Sequence, residues 1–263
     1  IEDEASTALV HAALDNGINL YDTAPIYGFG ESERRLGLAL KGRRDEAFLV
    51  SKCGVAYDER QRVRLDNSSE TTQRMLEGSL RRLETDVIDL YMVHWPDEDV
   101  DIRHTVETMA RAQERGLIRY VGLSNTNADE LEKARQICPI DVVQFEASFL
   151  NPAALDKLEE SEDLSKIGTM SWGTLAKGIL TGRVDRNRTF DPSDARHSAP
   201  WWVNADHEPL YAVMARLEPL LASSGHTGLE LAIGYLDYRQ DVDTLLCGIR
   251  SMSQLESAIE ALD

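Results

Sequence analysis

The chain has 263 residues, is 42% hydrophobic, and carries 46 Asp and Glu against 28 Lys and Arg, a formal net charge of −18. That is enough apolar material for one large core, and α/β barrels commonly take this length as a single domain, so one domain over 1–263 is expected. Such acidity argues against nucleic acid or an anionic membrane as partner, and no apolar run approaches the length of a bilayer span.

The chain opens on Ile1 rather than Met and enters a helix at once, so we expect N-terminal sequence to be missing. Leu9, Val10, Ala13 and Leu14 stand at helical spacing, and Asn16-Gly17 stops the helix. Residues 18–22 are short, apolar and bounded by turn residues, which predicts a strand ending on Asp22. A helix over 32–40 and a strand over 47–52, again ending on a charge, come next. After a polar loop, Asn67-Ser68-Ser69-Glu70 has the pattern of an N-cap with an acid in the first turn, and Leu76, Leu80 and Leu83 mark the buried face that follows.

A strand over 87–94 precedes a helix with Val106, Met109 and Ala110 that ends at Gly116. A strand over 120–124 leads to Asn127 and Glu130 at capping-box spacing. Further strands are expected over 142–146 and 167–172. The stretch 183–209 is irregular and rich in Pro, Asp, Ser and Trp, and loops of that length usually cover a site or are partly disordered. Two helices follow, the second behind Thr227 and Glu230, then a strand over 242–247 and a closing helix from Ser251 or Ser253.

Strand and helix alternate, and the strands are apolar runs, the pattern of parallel strands buried on both faces. Seven strands are counted and a closed barrel takes eight, so the expected architecture is a (β/α)8 TIM barrel whose first strand is absent from the chain. An open doubly wound sheet is the competing reading. Gly28-Phe29-Gly30 lacks the third glycine of a dinucleotide fingerprint and does not open a helix from a strand end. Cys53, Cys138 and Cys247 are sparse and odd in number, which predicts reduced thiols and a cytoplasmic protein.

In such a barrel the chemistry sits at the C-terminal ends of the strands. Asp22, Lys52 and His94 each close a predicted strand, and Tyr27 lies in the loop after Asp22. Alone, each has a plainer reading: an ion pair, a loop tyrosine, a core histidine. Together they make a proton-transfer site. A free phenol has a pKa near 10, too high for an effective acid near neutrality, and a neighbouring ammonium lowers it. A buried lysine keeps its charge only beside a carboxylate, which Asp22 supplies. His94 can bond the substrate oxygen and fix its angle.

These motifs resemble the aldo-keto reductases. The resemblance is carried by Asn19-Leu20-Tyr21-Asp22-Thr23-Ala24 with Tyr27-Gly28, Ser51-Lys52, Asp89-Leu90-Tyr91-Met92-Val93-His94-Trp95-Pro96, Val121-Gly122-Leu123-Ser124-Asn125, and Gly248-Ile249-Arg250 with Gln254-Leu255. It covers essentially the whole chain and is nearer the bacterial branch related to potassium-channel β subunits than the mammalian aldose reductases. It implies a (β/α)8 barrel, NADPH (NADP+) as hydride donor, Tyr27 as acid and base, and supporting roles for Asp22, Lys52 and His94. It further implies that Ser124, Asn125 and Gln144 hold the nicotinamide carboxamide, with Trp172 flat against the ring. Gly173, Leu175, Lys177 and Gly178 would wrap the pyrophosphate. Gly248, Ile249, Arg250 and Gln254 would hold the adenosine end, Arg250 pairing the 2′-phosphate. The chain departs from the family at Ser257-Ala258, where a Glu-Asn pair is usual, which puts in question the adenine contacts and the strictness of the NADPH preference that the resemblance implies.

The resemblance points to a small-molecule carbonyl substrate, sugar-derived or otherwise small and polar, facing Tyr27, His94 and Trp95, with a homo-oligomer allowed. Trp201 and Trp202, beside Arg196 and His197, read either as a stacking surface or as loop packing. Two alternatives stand: a Schiff-base lyase with Lys52 as nucleophile, and a redox-sensing NADPH-binding interaction protein with slow turnover.

Overall fold

The computed structural model describes residues 2–153, 155, 166–239 and 241–262. Helix α1 (Asp3–Asp15) buries Ala13 and Leu14 and stops at Asn16. Strand β1 (Leu20–Asp22) pairs in parallel with β2 (Phe48–Cys53), bringing Asp22 beside Val50. Between them runs α2 (Glu31–Ala39). The polar loop after β2 contains a small antiparallel hairpin, β3 (Val55–Tyr57) with β4 (Val63–Leu65).

Helix α3 (Ser69–Arg82) starts where the N-cap pattern predicts: the Ser68 side chain accepts from the Thr71 amide, and Leu76 is buried. Strand β5 (Ile88–Val93) is buried at every position, as a parallel strand covered on both faces must be. It pairs with β2 on one side and with β6 (Ile118–Ser124) on the other. Asp89, 1% exposed, fastens these strands near their starts, accepting from the Leu49 amide at 2.8 Å, Arg44 at 2.7 Å and Arg119 at 2.9 Å. Helix α4 (Ile102–Glu114) buries Val106 and Met109. Helix α5 (Ala128–Arg135) opens on the capping box of Asn127 and Glu130 before β7 (Val142–Glu146).

The second half carries β8 (Gly168–Trp172), a four-residue helix α6 (Pro200–Val203), α7 (Glu208–Ser224), α8 (Gly228–Tyr238), β9 (Thr244–Leu245) and α9 (Met252–Glu260). The sheet order is β1-β2-β5-β6-β7-β8-β9, seven strands as the sequence predicts. The last strand is shorter than expected. Past Leu245 the backbone finds other partners: the Leu246 amide donates to the Ser171 carbonyl at 2.9 Å, and its carbonyl accepts from Thr174 Oγ1 at 2.8 Å.

The described residues fall into two compact units. The first holds residues up to Phe145, the start of β8 through Met170, and Gly248–Leu255; its core includes Leu49, Tyr91, Val93, Met109 and Leu123. The second holds the residues from Glu146 to 153, then 155, Ser171–Cys247 and 256–262, around Ile179, Leu180, Trp202, Met214 and Ala232. Among the described residues no helix is long and apolar enough to cross a membrane.

Candidate active site

The parallel register of β1, β2 and β5 aligns their C-terminal ends, and three of the four expected catalytic side chains sit there. Asp22 is the last residue of β1, Lys52 the penultimate residue of β2, and His94 lies one residue past β5. His94 is held at that point because its amide donates to the Cys53 carbonyl at 2.9 Å. Lys52, 1% exposed, bonds the Asp22 carboxylate through its ammonium and donates to the Thr23 carbonyl at 3.0 Å. Its Nζ lies 5.2 Å from the centroid of the Tyr27 ring. The Tyr27 hydroxyl is 3.4 Å from His94 Nε2, and the imidazole tautomer sets which of the two donates. The two rings meet edge to face, 5.6 Å between centroids. All four expected residues therefore come together.

The electrostatics differ from the sequence expectation in one respect. Burial raises the Tyr27 phenol above its ordinary 10; the Lys52 charge pulls the other way without winning, and Asp22 adds to the rise. Lys52 feels the same contest with the opposite outcome. Burial disfavours its charge, but Asp22 and then the Tyr27 oxygen hold its pKa above the usual lysine range. For His94, burial and then the Lys52 charge bring the pKa down to about 3. At neutral pH the cluster is thus a neutral phenol, an ammonium, and a neutral imidazole.

Asp22 is held from its other side as well. Gln144 at the end of β7 donates through Nε2 to Asp22 Oδ2 at 2.8 Å, and its Oε1 accepts from Ser124 Oγ at 3.1 Å. Asn125, in the left-handed region at φ 58, donates to the His94 carbonyl at 2.9 Å and to Ser124 Oγ at 3.0 Å. An NH2 carries two protons and a carbonyl oxygen two lone pairs, so these amides both tie the strand ends together and fit an amide ligand. Trp95 follows His94 and is 43% exposed.

The second unit holds the residues expected along the pyrophosphate. Gly173 has φ +80, which strains any other residue, and a Cβ there would crowd the Glu146 side chain at 3.0 Å. Three consecutive residues, Ala176, Lys177 and Gly178, have positive φ, an arrangement costly for the first two. Two partners that the sequence reading did not anticipate hold this turn. Glu146 accepts from Lys177 Nζ at 2.5 Å, and Arg196 donates to the Lys177 carbonyl at 2.6 Å. A carboxylate at the end of β7 is a signal for the first; the second joins positions 19 residues apart in an irregular stretch and leaves no pattern. Lys177 Nζ also lies 5.8 Å from the Trp172 ring centroid.

Trp202 is packing: it is 8% exposed against Phe190 and His207, while Trp201 is exposed. Gln254 accepts from the Arg250 amide through Oε1 at 2.7 Å, so it shapes the turn that carries Arg250. Among the described residues no cluster of His, Cys, Asp or Glu could hold a metal ion.

Comparison with known proteins places the chain in a family. A family model described as Aldo/keto reductase family matches residues 1–263. Aldo-keto reductase YhdN of Bacillus subtilis is 33% identical over 262 residues, covering 98% of this chain and 79% of that protein. The NADH-specific methylglyoxal reductase of Escherichia coli is 29% identical, covering 94% and 79%. Among solved structures, the glycerol dehydrogenase of Gluconobacter oxydans superposes with a TM-score of 0.84 at 30% identity, covering 99% of this chain and 81% of that one. The chain belongs to the aldo/keto reductase family, NAD(P)H-dependent oxidoreductases built on a (β/α)8 barrel.

Proposed function

We propose that the protein reduces a small polar aldehyde or ketone to an alcohol with NADPH, Tyr27 giving the proton. The single observation that carries this reading is the convergence of Tyr27, His94, Lys52 and Asp22 at the ends of β1, β2 and β5. Tyr27 is a neutral phenol at neutral pH, so it arrives at the reaction as a proton donor, and the residue is 39% exposed, which leaves it open to a substrate. The Lys52 ammonium, fixed by Asp22 and the Thr23 carbonyl, stabilises negative charge on the phenol oxygen as the proton leaves. Neutral His94 bonds the substrate oxygen and sets its angle to the phenol. When bound, the nicotinamide supplies the hydride to the carbonyl carbon. Ser124, Asn125 and Gln144 would hold its carboxamide, with Trp172 against the ring. Gly173, Leu175, Lys177 and Gly178 would hold the pyrophosphate, and Gly248, Ile249, Arg250 and Gln254 the adenosine end.

The substrate class is supported by Trp95 beside His94 and by the names of two relatives, a methylglyoxal reductase and a glycerol dehydrogenase. Free, unpaired thiols at Cys53, Cys138 and Cys247 support a cytoplasmic setting. The Schiff-base alternative fares worse, because its nucleophile must be a neutral amine and Lys52 is a buried ammonium bonded to Asp22. A panel of small aldehydes and hydroxyketones, read by loss of NADPH absorbance, tests the reading. Turnover of three- to six-carbon polar carbonyls is expected; tight NADPH binding with no turnover on any of them contradicts it and favours the redox-sensing alternative.

A further inference from the structure

The segment joining the β3–β4 hairpin to α3 is pinned on every side. The Asp66 amide donates to the Gly54 carbonyl at 2.9 Å, the Asn67 carbonyl accepts from the Thr105 hydroxyl at 2.6 Å, and Ser68 caps α3. Asn67 is thereby held at 1% exposure, yet neither its side-chain oxygen nor its nitrogen has a hydrogen-bond partner among the described residues. Buried amides are costly unless both ends are satisfied, and a polar niche of this kind recruits a bridging water.

The place of this amide gives it a use. A Cβ at Gly54 would lie 2.5 Å from Asn67 Nδ2 and 3.2 Å from the Trp95 carbonyl oxygen. Gly54, at φ +91, can take neither the angle nor the space with any other side chain. It follows Lys52 and Cys53 on the end of β2, and Trp95 follows His94 past the end of β5. The two ends are already joined by the His94 amide and the Cys53 carbonyl. Asn67 therefore stands behind the backbone that carries both Lys52 and His94, outside the set of groups that touch the reacting atoms.

We propose that Asn67 is a positioning residue for carbonyl reduction: its amide, through one buried water shared with the Trp95 carbonyl, fixes the turn after β5 and so the angle of His94. The proposal rests on the reading of His94 as the group that orients the substrate oxygen. Small displacements of such a group cost rate far more than binding.

The test measures kcat, KM, NADPH affinity and thermal midpoint for Asn67→Leu, Asn67→Ala and Tyr27→Phe in the full chain. Asn67→Leu keeps the shape and removes both polar ends. The expected result is a kcat lower by about tenfold or more, with NADPH affinity and the thermal midpoint unchanged, because leucine removes the buried amide's desolvation cost together with its water-bridged bond. A kcat within about twofold of the parent in both Asn67 variants, with Tyr27→Phe inactive, overturns the Asn67 role and leaves the reduction mechanism standing. A kcat loss that tracks a lowered thermal midpoint in both variants makes Asn67 merely structural and also overturns it. Full activity in Tyr27→Phe removes the reading beneath it. Should Asn67→Leu fail to fold, Asn67→Ala carries the same readouts.

Discussion

Lys52 and Lys177 each pair with one carboxylate, and the two pairs live in different surroundings. The Lys52 side chain is 0% exposed and Asp22 11%; the ammonium has a second acceptor in Thr23, and the carboxylate a second donor in Gln144. Lys177 and Glu146 are each 32% exposed, on a turn whose own backbone is in the left-handed region. A charge pair sealed away from water cannot exchange partners without a large desolvation cost, so the Lys52 charge is fixed in place. A pair open to solvent exchanges cheaply, so Lys177 can leave Glu146 for an anionic ligand. The same two residue types thus form a pair closed to water in one unit and a pair open to exchange in the other.

The largest expected effect comes from breaking the sealed pair. Lys52→Met leaves Asp22 nearly buried without its cation and is expected to destabilise the protein by about 3–5 kcal/mol. Urea unfolding reads that loss, and carbonyl turnover falls by roughly a hundred- to ten-thousand-fold in the same variant. A Lys52→Met protein of parental stability would break the contrast at once.

His94→Gln is expected next, with turnover lower by on the order of a hundredfold if the imidazole orients the substrate oxygen. It also has a pH signature. Between its ordinary 6.5 and about 3, His94 takes a proton in the unfolded chain but not in the folded one. Stability from this residue is therefore full above about pH 6.5 and is lost as pH falls through that window. The glutamine variant should lose less stability on acidification than the parent, as followed by unfolding at a series of pH values; an identical acid response contradicts a buried neutral imidazole.

Arg250→Ala is expected to weaken NADPH by about tenfold, the worth of a charge-assisted phosphate contact, and NADH much less. Equal weakening of both cofactors refutes the 2′-phosphate role. The smallest effect is at the exchangeable pair. Glu146→Gln should change stability by less than about 1 kcal/mol and tighten NADPH slightly, since Lys177 no longer has a competing carboxylate. A stability loss as large as that of Lys52→Met would erase the distinction between the two lysines.

Much of this was legible in the chain because local chemistry announces itself. Asn127 with Glu130 and Thr227 with Glu230 form the capping boxes their spacing predicts, since a cap needs only residues three apart. Buried parallel strands such as 88–93 show as unbroken apolar runs. Asp22, Lys52 and His94 were visible as polar residues closing such runs. The β3–β4 hairpin was not, because Arg60, Arg62 and Arg64 make it read as a polar loop and its turn residue Gln61 is left-handed without being glycine. The net shift of Tyr27 was missed for another reason: composition shows which charge stands nearby, but how far burial opposes that charge is a property of the folded surroundings. The Arg196 contact to the Lys177 carbonyl depends on chain folding across an irregular stretch, where no periodicity exists to read.

The most direct test of the whole account is single-turnover reduction by Tyr27→Phe with NADPH already bound. The variant keeps the ring, its edge-to-face contact with His94 and the Lys52–Asp22 pair, and loses only the hydroxyl. The expected result is NADPH affinity within about twofold of the parent and a chemical step slower by roughly a hundred- to ten-thousand-fold. A chemical step at the parental rate would mean that the proton comes from elsewhere, and the cluster at the ends of β1, β2 and β5 would no longer explain carbonyl reduction.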